Sequence, residues 1–251
     1  MGLGNPRPGR GQPVSLLTPR APFEALNYGG YGLIMADPPW NTRMRSPKGE
    51  GKSYVKHYGA MPMDAIAALP VADLAAKHCL LILCCTWPLL LYGGDPTRHY
   101  FDADSSYSPI GQVLKAWGFR YATGGGWAKR TKTGKWAFPT GYRVRATLEP
   151  YLIGVKGSPK NSRRERNLIE GLAREHSRKP DEMFAWCERW AGDVPRVELF
   201  SRQNRPGWDS WGFEKGKFDP VAHVASPDPG GRGAGVAATR SAPLPVCEAT
   251  A

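Results

Sequence analysis

The 251-residue sequence has no run of about 18 apolar residues, the length a helix needs to cross a bilayer, so no membrane partner is expected. Its longest apolar stretch, Cys79-Leu-Leu-Ile-Leu-Cys-Cys85, is the size of a strand. The first twenty residues, MGLGNPRPGRGQPVSLLTPR, have no apolar core of the kind that directs secretion, which predicts a cytoplasmic protein. Cysteine is scarce, with five residues and no C-x-x-C pair. Three of them share that apolar stretch, Cys187 sits in a helical pattern, and Cys247 lies near the end. No Cys/His spacing resembles a zinc site, so a disulfide scaffold is excluded and reduced thiols, no metal and no catalytic cysteine are expected. Phosphate-binding fingerprints are missing too. Neither G-x-G-x-x-G nor G-x-x-x-x-G-K-[ST] occurs, and Gly124-Gly-Gly126 runs into Trp127 rather than into a helix. ATP and NAD chemistry therefore have little support. Nor is there a G-x-S-x-G elbow or a Ser/His/Asp set.

What the sequence has in excess is positive charge, +12 overall, and it is concentrated. Residues 129–178 hold 13 basic and 4 acidic side chains, whereas residues 216–251 hold three of each. In the basic segment Trp127, Trp136, Phe138 and Tyr142 lie among Lys129, Arg130, Lys132, Lys135, Arg143 and Arg145. A solvated basic face needs no aromatics, whereas cations interleaved with aromatics suit a nucleic acid, with phosphates neutralised and bases stacked. Those six cations are the candidate nucleic-acid contacts.

Pro-, Gly- and Ala-rich composition predicts disordered tails at residues 1–21 and 219–251, flanking one domain at 22–218. Within it strand and helix patterns alternate. Strands are expected up to Ala36 and at Leu80–Cys85, Phe119–Thr123, Gly125–Ala128, Tyr151–Val155 and Arg196–Phe200. Helices are expected from Met63, over Ile110–Trp117 with Gly118 as terminator, and from Lys179 to Trp190. The polar stretch Asn41–Lys56 reads as a loop. Such alternation implies an α/β fold whose mostly parallel central sheet is flanked by helices.

The chemistry concentrates in Ile34-Met-Ala-Asp-Pro-Pro-Trp-Asn41. The apolar run Tyr31-Gly-Leu-Ile-Met-Ala36 reads as a buried parallel strand, and Pro38 and Pro39, which cannot donate to a sheet, end it. A stiff turn alone needs no acid or indole beside its prolines. The carboxyl end of a strand is where open α/β sheets bind ligands. An exocyclic amine such as adenine N6 is a poor nucleophile, because its lone pair is delocalised into the ring. A carboxylate accepting one N–H and a rigid carbonyl accepting the other would free that lone pair. Asp37 and the Pro38 carbonyl, frozen by two fixed φ angles, supply this pair of acceptors, and Trp40 offers a stacking face.

With those residues the chain resembles the MT-A70 family of S-adenosylmethionine-dependent N6-adenine methyltransferases, whose signature is D-P-P-W at a strand end. Five further segments match the family in order: His57-Tyr-Gly-Ala-Met61, Gly126-Trp-Ala-Lys129, Glu149-Pro-Tyr-Leu-Ile-Gly-Val-Lys-Gly157, His176-Ser-Arg-Lys-Pro-Asp-Glu182, and Glu198-Leu-Phe-Ser-Arg202 continued by Gly207-Trp-Asp-Ser-Trp-Gly212. The resemblance implies a Rossmann-like class I methyltransferase fold, circularly permuted, because the amine-activating motif precedes the cofactor strand. It implies that Asp37 and Pro38 hold the target amine while Pro39 and Trp40 shape the base pocket. It implies that Tyr58 lies in a gate loop near S-adenosylmethionine, and that Lys179 meets the cofactor's carboxylate. Glu198 would accept the ribose hydroxyls, Phe200, Arg202 and Asn204 would wall the adenosine, and Glu149 would stand behind the target.

One departure is plain. Many relatives end this region in W-x-x-x-G-N followed by Glu or Gln, whereas here it reads Trp211-Gly-Phe-Glu214, so Phe213 cannot make that Asn's hydrogen bonds and Glu214 must compensate or cofactor affinity falls. The Asn41–Lys56 loop also looks longer than in eukaryotic relatives and is a candidate substrate surface. Rival readings within the fold are cytosine-N4 methylation, which typically has Ser at the Asp37 position, and amide methylation, which has Asn there. A non-catalytic nucleic-acid-binding subunit is the rival from another class. The chain's compactness and short tails favour a bacterial or phage enzyme acting on DNA, with RNA as the alternative.

Overall fold

The computed structural model describes residues 22–40, 60–91, 108–139, 141, 143–175 and 178–220. Apart from Pro220, these belong to the compact unit that ends at Asp219. The expected loop Asn41–Lys56, Tyr58 and the two expected tails, save Asp219 and Pro220, lie outside the described residues.

In chain order the elements are β1 (Tyr31–Ala36), α1 (Met63–Ala67), α2 (Val71–Leu74), β2 (Ala75–Cys84), α3 (Trp87–Leu91), α4 (Pro109–Ala116), β3 (Arg120–Arg130), β4 (Leu148–Lys156), β5 (Leu168–Leu172), α5 (Asp181–Ala191), β6 (Arg196–Leu199) and β7 (Asp209–Trp211). The seven strands form one sheet in the order β5-β3-β4-β2-β1-β6-β7. Every neighbouring pair is parallel except the two that involve β4, which runs against both β2 and β3. The late strand β6 thus lies beside the first strand β1, with Met35 opposite Glu198 and Ala36 opposite Leu199.

All six residues of β1 are buried, as expected of a strand covered on both faces. Its side chains alternate between two cores. Ile34 and Ala36 join Leu81, Leu83 and the α4 residues Ile110, Val113 and Leu114, while Leu33 and Met35 join Leu80, Ile82 and the α5 residues Met183, Phe184 and Trp186. Fully burying a side chain of this size contributes about 1.5–3 kcal/mol. Trp117, with no exposed surface, also satisfies its indole N–H on the Ile66 carbonyl at 3.0 Å. α4 starts at Ser108, whose hydroxyl accepts from Gly111 N, and ends before Gly118, whose φ of +77° only glycine adopts cheaply.

Four strands differ from expectation. The two predicted strands at 119–128 are one strand, β3, because Gly124–Gly126 do not break it. A Cβ at position 125 would lie 2.1 Å from the Asn167 carbonyl and 2.4 Å from the Tyr151 hydroxyl, so the glycines admit a close-packed neighbour. β2 starts at Ala75, five residues before the predicted strand, since its exposed Lys77 and His78 extend it beyond the apolar run. β5 and β7, five and three residues long, are too short to register as strands. Among the described residues no helix is long and apolar enough to cross a membrane.

Candidate active site

β1 delivers Asp37 to the carboxyl edge of the sheet. The Asp37 N–H points to the Leu199 carbonyl of β6 at 3.5 Å, and the prolines follow. Trp40 N–H donates to the Pro38 carbonyl at 2.8 Å, and Met61 N–H donates to the Pro39 carbonyl at 2.9 Å. The Pro38 carbonyl therefore keeps one lone pair. Trp40 differs from the open stacking face expected of it. It is 3% exposed, packs in the core, and gives its indole N–H to the Cys84 carbonyl at 3.0 Å. β2 runs alongside β1 as far as Leu83 and ends one residue later at Cys84, whose carbonyl captures the indole.

The motif opens on a cavity of about 670 Å³. Asp37, Pro38, Pro39 and Trp40 line it, together with Lys129, Glu149, Lys179, Phe200, Arg202 and Glu214. Residues that the sequence scatters over almost 180 positions thus meet in one place. Glu198 and Asn204 do not line it. Glu198 stands behind Ser201, which does, and Asn204 is held by Asp219 and by the Ser210 hydroxyl.

At one end of the cavity the charges are saturated. Lys179, which sits just before Pro180 and α5, places its ammonium 2.8 Å from Asp37 and also pairs with Glu149. Lys129 closes on the other Glu149 oxygen at 2.8 Å. Two acids and two lysines balance. Trp127 lies beneath them, with Lys129 4.7 Å from its ring centroid, and its own N–H bonds the Gly171 carbonyl. Burial would raise Glu149, but Lys179 and Lys129 outweigh it and hold its pKa at about 2. Burial of Lys179 opposes its charge, yet Asp37 and Glu149 hold its pKa well above the ordinary lysine value. Asp37 has fewer cations than Glu149, and burial pushes its pKa up against the pull of Lys179. It is the less satisfied acid, with lone pairs left for a donor in the cavity.

At the other end Glu198 forms no ion pair among the described residues. Ser201 Oγ lies 2.7 Å from its carboxylate and 2.8 Å from the Gln203 carbonyl, with one proton to give. Burial lifts Glu198 to a pKa of about 7, only partly offset by that hydroxyl. Phe200, which follows β6, has a φ of +64°, a left-handed conformation that costs a non-glycine residue roughly 1–2 kcal/mol. Such strain persists where the surroundings fix it, often at functional sites. Arg202 pairs with Glu214, and Phe213 rims the cavity with 89% of its surface exposed.

The six cations expected to meet nucleic acid divide. Lys129 is committed to Glu149 inside the cavity. Arg130 is bonded to Glu170 and lies over Trp136 at 3.2 Å from the ring centroid. Lys132, Lys135, Arg143 and Arg145 are exposed. Of the four interleaved aromatics, Trp127 is buried and Tyr142 lies outside the described residues. Four cysteines, Cys79, Cys84, Cys85 and Cys187, are buried and unpaired. Burial pushes Cys85, which lines the cavity, up to about 12, so it is a thiol and no ready nucleophile. Sequence reasoning missed Arg174, Glu175 and Arg178, which also line the cavity, and the part played by Ser201. The basic run at 163–178 was a signal for the arginines; nothing flagged the serine.

A central parallel sheet with one antiparallel strand, and a cavity at the carboxyl ends of two adjacent strands that are distant in sequence, define a Rossmann-like methyltransferase fold in permuted order. The MT-A70 family model matches residues 31–96 and 100–214, and the chain belongs to that family. An MT-A70-like protein of Medicago truncatula is 33% identical over 193 residues, which is 73% of this chain and 26% of its own length. The N(6)-adenosine-methyltransferase catalytic subunit METTL3 of Homo sapiens is 26% identical over 210 residues, 80% of this chain and 30% of its own length. The Type II methyltransferase M.MunI of Mycoplasma sp is 27% identical over 211 residues, 76% of this chain and 81% of its own length. The chain thus spans about a quarter of the plant relative and most of the mycoplasma one.

Proposed function

We propose that the protein transfers a methyl group from S-adenosylmethionine to the N6 amine of adenine in a nucleic acid, with DNA favoured over RNA. The observation that carries this reading is Asp37, an incompletely satisfied carboxylate fixed beside a proline carbonyl at the edge of the cavity. Asp37 accepts one N–H of the amine, and the free lone pair of the Pro38 carbonyl accepts the other. The amine nitrogen then presents its own lone pair, and much of the rate comes from holding two reactants in line. Pro39 and Trp40 wall the base. Lys179 spends two of its three protons on Asp37 and Glu149, which opposes the effect of burial on Asp37 and aims it, and the third is left for an anionic cofactor group. Glu149 fixes Lys179 from behind.

The β6 end fits the cofactor. Glu198 is a carboxylate with unfilled acceptor sites at a strand terminus, suited to a diol, and Phe200, Arg202, Glu214 and Asn204 surround that end. When bound there, S-adenosylmethionine supplies a methyl group activated on a sulfonium sulfur. Tyr58 belongs to the same proposal as a gate residue. The exposed cations Lys132, Lys135, Arg143 and Arg145 neutralise phosphates, with Lys129 and Arg130 set behind them. DNA is favoured because the match extends over 81% of the length of a Type II methyltransferase.

The test is incubation with labelled S-adenosylmethionine and, separately, duplex DNA, single-stranded DNA and RNA, followed by digestion and identification of the methylated nucleoside. N6-methyladenine from DNA that is absent with Asp37→Ala is the expected result. Label in RNA alone reverses the polymer, and label on another base overturns the reading.

A further inference from the structure

Phe138 stands apart from the other described aromatics of the basic segment. It is 78% exposed, while the residues on either side of it, Ala137 and Pro139, line the cavity that Asp37 lines. An exposed phenylalanine is costly to hold in water, and here the backbone just before it is anchored. Ala137 N–H donates to the Lys129 carbonyl at 2.8 Å, the Thr147 hydroxyl donates to the Ala137 carbonyl at 2.9 Å, and Trp136 bridges to Arg130. Arg145 lies over the Phe138 ring, 4.5 Å from its centroid, and forms no ion pair among the described residues. Trp136, by contrast, is covered by an arginine whose charge Glu170 already balances. Among the described residues, the basic segment therefore offers at the mouth of the cavity an aromatic ring that is 78% exposed, with Arg145, which forms no ion pair there, over one of its faces.

We infer that Phe138 stacks on the nucleobase next to the target adenine, with Arg145 on the adjoining phosphate, so that the strand is taken up with that neighbour unstacked. This rests on the proposed nucleic-acid substrate and goes beyond it by naming the residue that grips the flanking nucleotide. The occupant follows from charge. Arg145 lies over the ring, and Lys132, Lys135 and Arg143, within six residues of Phe138 in sequence, are exposed; this positive charge suits a polyanion carrying flat apolar faces and repels a basic surface. Phe138 takes no part in the transfer itself; it positions the strand.

The experiment compares the full chain with Phe138→Ala and Phe138→Trp. Affinity is measured by fluorescence anisotropy for a labelled single-stranded DNA of mixed sequence and for a strand of equal length made of abasic sites. Stacking predicts that Phe138→Ala weakens binding of the base-bearing strand about tenfold, the scale of one lost base–aromatic stack. It predicts no change for the abasic strand and recovery with Phe138→Trp. Affinity for S-adenosylhomocysteine and the thermal midpoint stay unchanged, which separates stacking from a folding defect. Equal weakening for both strands overturns the inference in favour of a packing or charge effect. Unchanged binding in Phe138→Ala overturns it as well; if the sedimenting mass of the wild type then falls on mutation, a second copy of the chain occupies the ring. Failure of the wild type to bind any strand overturns the nucleic-acid reading itself and the inference with it.

Discussion

Two half-buried carboxylates, Glu149 in the cavity lining and Glu198 behind Ser201, are held in opposite ways. At the β1 end Glu149 has two ammonium partners and its pKa is held at about 2, while at the β6 end Glu198 has one shared hydroxyl and its pKa is lifted to about 7. Burial acts on both, and the partner decides the outcome. An ammonium fixes the charge at every physiological pH, whereas a hydroxyl leaves it to the solvent and the ligand. The first arrangement suits an acceptor that must be ready before an amine arrives. The second suits a site completed by its ligand. Asp37 lies between these extremes, with one cation and unused lone pairs.

Removing the acceptor tests the first end most severely. Asp37→Ala is expected to lower methyl transfer about a thousandfold, the upper scale for losing one preorganised hydrogen-bonding group in an active site. Affinity for S-adenosylhomocysteine should change little, because that ligand is proposed to lie toward β6. A parallel loss of both would merge the two ends into one and break the contrast. Lys179→Met attacks the same end through stability. It leaves Asp37, a half-buried carboxylate, without its cation, while Glu149 keeps Lys129. Losing one partner of a fully buried pair costs roughly 3–5 kcal/mol, and with 21% of the Asp37 side chain exposed the expected cost is below that range. The deficit should shrink as pH falls and Asp37 takes up a proton, and Asp37→Asn in the same chain should restore part of it. Urea unfolding at neutral and acidic pH reads both effects.

How far such a site can be read from sequence depends on how its residues announce themselves. Asp37-Pro-Pro-Trp40 was legible because each residue type limits the backbone or the chemistry, and β1 before it is apolar throughout. The outer strands were not legible. β5 alternates buried and exposed residues over only five positions, and β7 has three. The pairing of Lys179 with Asp37 was also hidden, since a lysine just before a helix fits an anionic ligand as well as a carboxylate far away in sequence. Only the fold, which brings the residue before α5 and Glu149 of β4 to the edge where β1 ends, reveals the pairing. Trp40 was misread as open because the sequence does not show that β2 ends on a carbonyl within its reach.

Glu198 offers a sharper test of the second end. Its raised pKa means the folded protein holds a proton that the unfolded chain gives up at lower pH. The resulting stabilisation is fully present below 4.5 and is lost as pH rises through about 7. Glu198→Gln should therefore be more stable than the wild type on the alkaline side of that value and gain nothing on the acidic side. Ligand binding should run the other way. If the ionised carboxylate accepts the ribose hydroxyls, affinity for S-adenosylhomocysteine rises roughly tenfold from one pH unit below the pKa to one unit above, following the ionised fraction. Glu198→Gln should flatten that profile. Calorimetric titration across pH decides it, and a flat wild-type profile would mean that Glu198 is held in one charge state after all.

Phe213 gives the smallest effect and the finest distinction. It rims the cavity with 89% of its surface exposed and touches Trp211 only at a tilted 6.2 Å between ring centroids. Replacing it should shift stability by no more than about 0.5 kcal/mol, as for most surface positions. Phe213→Asn installs the residue that many relatives carry there. One added hydrogen bond contributes about 1 kcal/mol, which would tighten S-adenosylhomocysteine binding by about fivefold. That gain should survive in Glu198→Gln, because an amide side chain does not titrate and does not depend on the neighbouring carboxylate. If Phe213→Asn instead weakens binding, the exposed ring is itself a ligand contact, and this chain holds its cofactor by stacking where many relatives use an asparagine.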